Sequence, residues 1–234
     1  MSSNRPNTIE LSFVLFGAEY TGKTTLLNFF DNDKTFLTKK YVRTITNECV
    51  IKFSIKENVK IHVWDTSGDL NFLKVSLSAS AFPAKATAFL LAFNFQDKTT
   101  FDSLPTLINE LKHYNKPMHL VGTHFDGLNN LAVSLNDIKD FLKKHPEILG
   151  FYKTDRNDSV TLTNLFDGLK YNYTIKAARQ KILDDFKSKH LAKHKDNHEH
   201  AASINDFHQQ ASKIIANGDI EEKQNADMQK LAAD

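Results

Sequence analysis

Gly17-Ala18-Glu19-Tyr20-Thr21-Gly22-Lys23-Thr24 matches G-x-x-x-x-G-K-[ST], a loop pattern built to hold phosphate. Before it, Leu11 to Phe16 is an apolar run of strand type. After it, Thr25 to Phe30 carries paired Leu and Phe, as a buried helix does. Strand, glycine loop and helix form the context that gives the pattern its meaning. Amides of the loop and the helix N-terminus converge on one spot and favour an anion there. Lys23 adds a full positive charge for the outer phosphates of a nucleotide, and the Thr24 hydroxyl offers a ligand to Mg²⁺. The competing explanation is a chance match in an ordinary strand-to-helix turn, and the flanking elements weigh against it.

Outward from the loop, the chain alternates strands and helices. Cys49–Ile55 puts Ile51, Phe53 and Ile55 on one face, with Lys52 and Ser54 on the other. Val59–Trp64 puts Val59, Ile61 and Val63 on one face. The short Lys56-Glu57-Asn58 between them suits a hairpin. Thr87–Phe93 is a continuous apolar run, expected of a central parallel strand covered on both sides. Phe101–Tyr114 carries Leu104, Leu107, Ile108 and Leu111 at helical spacing. Met118–Gly122 is a further strand, Ser134–His145 a helix ending before Pro146, and Gly150–Lys153 a short last strand. Val160–Leu169 opens a helix with Leu162, Leu165, Phe166 and Leu169 on one stripe. This order predicts a doubly wound α/β fold: a mostly parallel six-stranded sheet with one antiparallel edge strand. Ligands on such sheets sit at the carboxyl ends of the strands.

Bulk properties narrow the class. The chain has 234 residues, 41% hydrophobic and 25% charged, in the range of soluble globular proteins. A net charge of +2 argues against a nucleic-acid partner. With Cys49 as the one cysteine, there is no disulfide framework, and a reducing, cytoplasmic setting is natural. No apolar run reaches membrane-spanning length, and Met1 to Asn7 does not read as a secretory signal. The expected organisation is an N-terminal tail over 1–9, a nucleotide-binding domain over 10–175 and a helical or partly disordered extension over 176–234. In that extension Ile182, Leu183 and Phe186 continue an apolar face. Ile204, Phe207, Ala211, Ile214 and Ile215 mark a second one. His190, His194 and His198 fall four apart, but no acidic or cysteine partner joins them, and they read as a solvated face.

Two further segments carry chemistry. Trp64-Asp65-Thr66-Ser67-Gly68 follows the second hairpin strand and places an acid and a bare backbone amide opposite the phosphate loop, where Asp65 anchors Mg²⁺ and Gly68 faces the terminal phosphate. Thr123-His124-Phe125-Asp126 ends the Met118–Gly122 strand. It resembles the [NT]-K-x-D guanine-reading motif of GTPases, which implies that the Asp126 carboxylate accepts two hydrogen bonds from guanine, a donor pair that adenine lacks; the competing explanation is an ordinary acid where a strand meets a loop.

The three elements, in this order, resemble the Ras superfamily of small GTPases, and more closely its Rab branch. Tyr41-Val42-Arg43-Thr44-Ile45 resembles the first switch segment, with Thr44 in the place of the Mg²⁺-binding threonine. Asn94-Phe95-Gln96-Asp97-Lys98-Thr99-Thr100-Phe101 resembles the stretch after the fourth strand. The resemblance covers roughly Glu10 to Leu169. It implies a GTP/GDP switch with Mg²⁺ bound at Thr24, Thr44 and Asp65, and catalysis through Lys23, Thr44, Gly68 and Asp69. The nucleotide contacts it implies run over Glu19, Tyr20, Thr21, Gly22, Lys23, Thr24 and Thr25, then Phe36, Thr44 and Gly68, then Thr123, His124, Asp126, Thr154 and Asp155. Phe36 is either a cover for the edge of the base or plain core packing. Effector, exchange-factor or scaffold proteins are expected at the switch segments and the C-terminal helices.

Departures from the family pattern are specific. Glu19 and Tyr20 stand where the family has small residues. Asp69 replaces the glutamine that orients the attacking water, and His124 replaces a lysine. Thr154-Asp155-Arg156 only dimly follows serine-alanine-lysine. The chain ends Leu231-Ala232-Ala233-Asp234, without a cysteine to prenylate, so no direct lipid anchor is expected and recruitment to membranes would run through partners. Two alternatives remain at this point. One is a scaffold with the same domain but no nucleotide cycle. The other is a phosphate-loop nucleotide kinase or ATPase, disfavoured by Thr123 to Asp126 and by the early hairpin.

Overall fold

A computed structural model of the chain describes residues 8–32, 43–79, 81–125 and 131–193. Six strands form one sheet: β1 (Ile9–Phe16), β2 (Glu48–Ser54), β3 (Val59–Asp65), β4 (Ala88–Asn94), β5 (Met118–Thr123) and β6 (Ile148–Lys153). Their spatial order is β2-β3-β1-β4-β5-β6. Every pairing is parallel except β2 with β3, the hairpin, so β2 is the antiparallel edge. The helices are α1 (Lys23–Asp31), α2 (Leu70–Ala79), α3 (Phe82–Lys85), α4 (Lys98–Asp102), α5 (Leu104–Leu111), α6 (Leu135–Lys144) and α7 (Ser159–Lys193). This is the α/β architecture that the alternation predicts.

The central strands follow from their composition. Ala88 to Phe93 is buried throughout, as a strand with helices over both faces requires. Val14, Phe16, Leu91 and Phe93 lie in one apolar cluster with Leu73 and Leu77 of α2, Leu104 and Leu111 of α5, and Ile138 of α6. Phe30 of α1 and Phe166 of α7 meet at 5.1 Å between ring centroids. Ser134 caps α6 reciprocally with Asp137, each side chain bonding the other's backbone amide.

Three local features differ from the sequence reading. The helix expected over Phe101–Tyr114 is divided. Pro105 lacks an amide hydrogen and sits in the first turn of α5, so α4 stops at Asp102 and a 3₁₀ turn, Lys112–Tyr114, closes the run. On β2 the apolar side chains Ile51 and Phe53 are exposed, as is Ile55 just beyond it. The opposite face lies toward α1, where the Lys52 ammonium sits 5.0 Å from the Phe30 ring centroid. The Leu70–Ala79 stretch, unassigned in the sequence, is α2.

Internal packing separates a first unit, ending at Lys170, from a second beginning at Tyr171. The sequence-based boundary fell at 175. Within the first unit the Lys170 ammonium lies 3.1 Å from Glu57, tying the hairpin turn to α7. Among the described residues no helix is long and apolar enough to cross a membrane.

Parallel register places the site. Leu15 pairs with Asp65, Phe16 with Leu91, Asn94 with Thr123, and Gly122 with Lys153. The carboxyl ends of β1, β3, β4, β5 and β6 therefore share one edge, where the loops carrying the motifs emerge.

Candidate functional site

The phosphate loop joins β1 to α1 and needs unusual backbone. Gly17 has φ 150°, and a Cβ there would lie 2.2 Å from the Ala92 carbonyl oxygen of β4. Tyr20 adopts φ 62°, which a side chain rarely does, and its ring is exposed. Gly22 has φ 77° and precedes the first turn of α1. Thr21 is buried and its hydroxyl donates to the Ala18 carbonyl at 2.9 Å.

Lys23 is buried and arches back along the loop. Its ammonium donates to the carbonyls of Gly17 and Ala18, both at 2.8 Å, with the Thr21 hydroxyl at 3.4 Å. Burial lowers its pKa from the ordinary lysine value to about 8, against the opposing pull of Asp65 and Glu19. A cation held this way is poised for an anion.

Three oxygen-bearing side chains converge beside it. The Thr24 hydroxyl donates to Asp65 Oδ2 at 2.6 Å and lies 3.1 Å from the Thr44 hydroxyl, which reaches the same oxygen at 3.3 Å. Asp65 is fully buried, and burial raises its pKa despite the hydrogen bond from Thr24 and the nearby charge of Lys23. Its Oδ1 is buried without a hydrogen-bond partner. A buried carboxylate oxygen in that condition is costly unless something else completes it. Hard oxygen donors, one of them ionic, fit a small hard cation such as Mg²⁺ and not a thiophilic metal. Among the described residues no cluster of three His, Cys, Asp or Glu could hold a metal.

Gly68 packs against the loop: a Cβ there would lie 2.5 Å from the Glu19 amide nitrogen. Asp69 begins the turn into α2, its carbonyl accepting from Leu73 and its Oδ1 from the Asn71 amide at 2.8 Å. The Asn71 and Phe72 amides, with Arg43, hold its carboxyl below the usual range. Arg43 is the residue that sequence reasoning left without a role. Its Nε lies 2.7 Å from Glu19 Oε1, its Nη2 lies 2.5 Å from Asp69 Oδ2, and its guanidinium sits 5.6 Å from the Phe72 ring centroid. The two acids that depart from the family pattern are thus joined through one cation.

An open cleft beside the loop is lined by Gly22, Thr25, Leu26, Thr123, His124, Thr154, Arg156 and Leu162. The buried Thr123 hydroxyl lies 2.9 Å from the Thr21 carbonyl, 3.0 Å from the Phe93 carbonyl and 2.9 Å from His124 Nδ1. His124 has φ 57°. Thr154 hydrogen-bonds to the Gly122 carbonyl through its amide, at 2.7 Å, and its hydroxyl. Asp155 does not line the cleft. Its Oδ1 accepts from the Asn157 amide at 2.8 Å and its amide donates to the Thr161 hydroxyl, so the side chain facing the cleft is the next one, Arg156. Phe36 and Asp126 lie outside the described residues, as do Tyr41, Val42, the Ile204–Ile215 face, and His194 and His198 of the histidine row.

A parallel sheet with a glycine loop between its central strand and first helix, and with acids and hydroxyls at the neighbouring strand ends, defines a phosphate-loop nucleotide-binding domain. The family model described as Ras family matches residues 12–174. The chain belongs to the Ras family, and its relatives make it a divergent Rab-like member. It is 25% identical over 187 residues to the Ypt/Rab-type GTPase ypt71 of Schizosaccharomyces pombe, covering 75% of this chain and 88% of that protein. It is 29% identical over 158 residues to the Ras-related protein RABA1c of Arabidopsis thaliana, covering 65% and 70%. It is 25% identical over 162 residues to the Ras-related protein Rab-19 of Homo sapiens, covering 65% and 70%.

Proposed function

We infer that the chain binds GTP and GDP with Mg²⁺ and works as a slow molecular switch. The observation that carries this reading is the convergence of Thr24, Thr44 and the unpartnered Asp65 Oδ1 beside the buried Lys23. Magnesium held there would neutralise charge on the outer phosphates. Lys23 exchanges its loop carbonyls for phosphate oxygens. Amides of residues 19–25 and the N-terminus of α1 hold the remaining oxygens. Thr24 and Thr44 are the hydroxyl ligands, and Asp65 orients them through its Oδ2. Gly68 offers its amide to the terminal phosphate, and Asp69 stands where water is oriented. The cleft beside Thr123, His124 and Arg156 takes the base, with Asp126 reading guanine.

Effector, exchange-factor or scaffold proteins bind through the two switch segments, around Arg43 to Ile45 and Gly68 to Ala79, and through the C-terminal helices. Ile45 and Phe72, both exposed, give those segments apolar contact surface. The setting is membrane trafficking or signalling, from a cytoplasmic pool recruited by partners. The deciding experiment is to denature the purified protein and identify the nucleotide released. Guanine nucleotide with magnesium supports this reading. No bound nucleotide, together with no binding of a fluorescent guanine nucleotide, overturns it, and competition by ATP overturns the choice of base.

A further inference from the structure

Arg43 stands immediately before Thr44, and the two residues bind in opposite directions. Thr44 turns inward to Thr24 and Asp65. Arg43 turns outward to Glu19 of the phosphate loop and Asp69 of the segment after β3, with Phe72 beneath its guanidinium. The backbone closes the same triangle, since Gly68 leaves no room for a Cβ against Glu19. An isolated exposed ion pair contributes little. Here a planar fork meets two carboxylates through two different nitrogens and also lies over an aromatic ring, which uses the rigid geometry particular to arginine. In a switch of this kind the terminal phosphate orders the two segments, and its loss releases them. Glu19 and Asp69 supply a second means of holding them, built from protein groups alone.

We propose that Arg43 is a positioning residue: with Glu19 and Asp69 it clasps both switch segments onto the phosphate loop and keeps them closed when the nucleotide lacks its terminal phosphate. This rests on the GTP/GDP reading of the site. A ligand shifts a two-state equilibrium only by its differential affinity for the two states. If the closed arrangement already predominates with GDP, the terminal phosphate changes little. The chain would then be a weakly contrasted switch, its two nucleotide states differing less in these segments than they would without the clasp.

The test is hydrogen exchange on the full chain, loaded with Mg²⁺ and either GDP or a non-hydrolysable GTP analogue, in peptides covering residues 43–48 and 68–73. Wild type is expected to differ by less than about threefold between the two nucleotides in both segments. Arg43→Ala is expected to speed exchange of both at least ~tenfold in the GDP state, and less with the analogue. Wild-type protection in the GDP state is expected to fall at about 1 M NaCl, with Arg43→Ala insensitive to salt. Peptides from β1 and β4 report whether the variant is folded. If it is not, Arg43→Lys, which keeps the charge but not the fork, and the wild-type salt response decide. Segments that exchange freely with GDP in wild type, or an Arg43→Ala profile equal to wild type, overturn the proposal. Failure to take any guanine nucleotide overturns the GTP/GDP reading instead. The wild-type and Arg43→Ala comparison on the nucleotide-free chain then tests the clasp alone.

Discussion

The hydroxyl of Thr123 lies 2.9 Å from the carbonyl oxygen of Thr21, across 102 residues of chain. One buried side chain thereby ties the end of β5 to the phosphate loop.

Thr123→Val keeps the volume but removes the donor, leaving the carbonyls of Thr21 and Phe93 without it. A buried acceptor left unsatisfied costs about 1–3 kcal/mol. Part of that cost falls on the fold and part on the site. Guanine nucleotide dissociation is expected to quicken by roughly five- to a hundredfold. Stopped-flow release of a fluorescent GDP measures it, and a rate equal to wild type would show that the two loops are independent.

Lys23 makes affinity depend on pH. Its pKa in the free protein is lowered to about 8, below the unfolded lysine value. Between those values the unfolded chain binds more protons than the folded one, so the intrinsic stability of the free protein rises with pH through that window. Phosphate binding has the opposite dependence, because it requires the protonated amine. From pH 7.5 to pH 9, nucleotide affinity is expected to fall by roughly eightfold, from the fraction of Lys23 still protonated. Calorimetric titrations across that range check it, with Lys23→Ala expected to abolish binding and a flat wild-type profile counting against the lysine's role.

Gly17 is the least replaceable position of the loop. An alanine Cβ would meet the Ala92 carbonyl at 2.2 Å, and φ 150° is strained for any side chain. Gly17→Ala is expected to cost about 2–4 kcal/mol of stability. Gly150→Ala is the milder comparison, since its Cβ would meet a side-chain atom, His119 Nδ1 at 2.9 Å, and no backbone atom. Chemical denaturation of both variants separates them, and equal midpoints would contradict the close approach of β4 to the loop.

Much of this was legible because the signals are local. The phosphate loop, the hairpin around Lys56 to Asn58 and the apolar run of β4 each declare themselves within ten residues. Helix α2 did not: Asn71, Ser76 and Ser78 are weak helix formers, and it is the burial of Leu73 and Leu77 that sustains it. The outward apolar face of β2 was invisible too, because alternation tells which residues share a face and not which face is covered. Arg43 was seen only as a member of a segment. Its partners are 24 and 26 positions away on either side, and nothing in a linear pattern pairs a cation with two such acids. Asp155 shows another limit of a linear pattern: its Oδ1 accepts from the Asn157 amide in an Asx-type turn, and it is Thr154 and Arg156 that line the cleft beside Thr123.

Hydrolysis is expected to be slow. Phosphoryl transfer in this family depends on positioning and on stabilising spread negative charge. A glutamine amide both donates and accepts, so it contacts water and phosphate together. Ionised Asp69 accepts only, and the hydrogen bonds from Asn71 and Arg43 keep it ionised. One of its oxygens is already held by Arg43 and the other by the Asn71 amide. Little of the carboxylate is left to orient water, and its charge faces an anionic phosphate. Glu19 adds a second carboxylate, with the exposed Tyr20 beside it in the chain. The scale is set by Ras, a member of the same family, at about 3–5 × 10⁻⁴ s⁻¹ unaided. Single-turnover hydrolysis of bound GTP is expected at or below that rate, with Asp69→Gln faster than wild type by roughly tenfold. Arg43→Ala discriminates further. If Arg43 merely shields the two acids, its removal slows the reaction through added repulsion. If it holds Asp69 away from water, removal speeds it. A wild-type rate well above the Ras scale, together with a slower Asp69→Gln, would instead make Asp69 a general base.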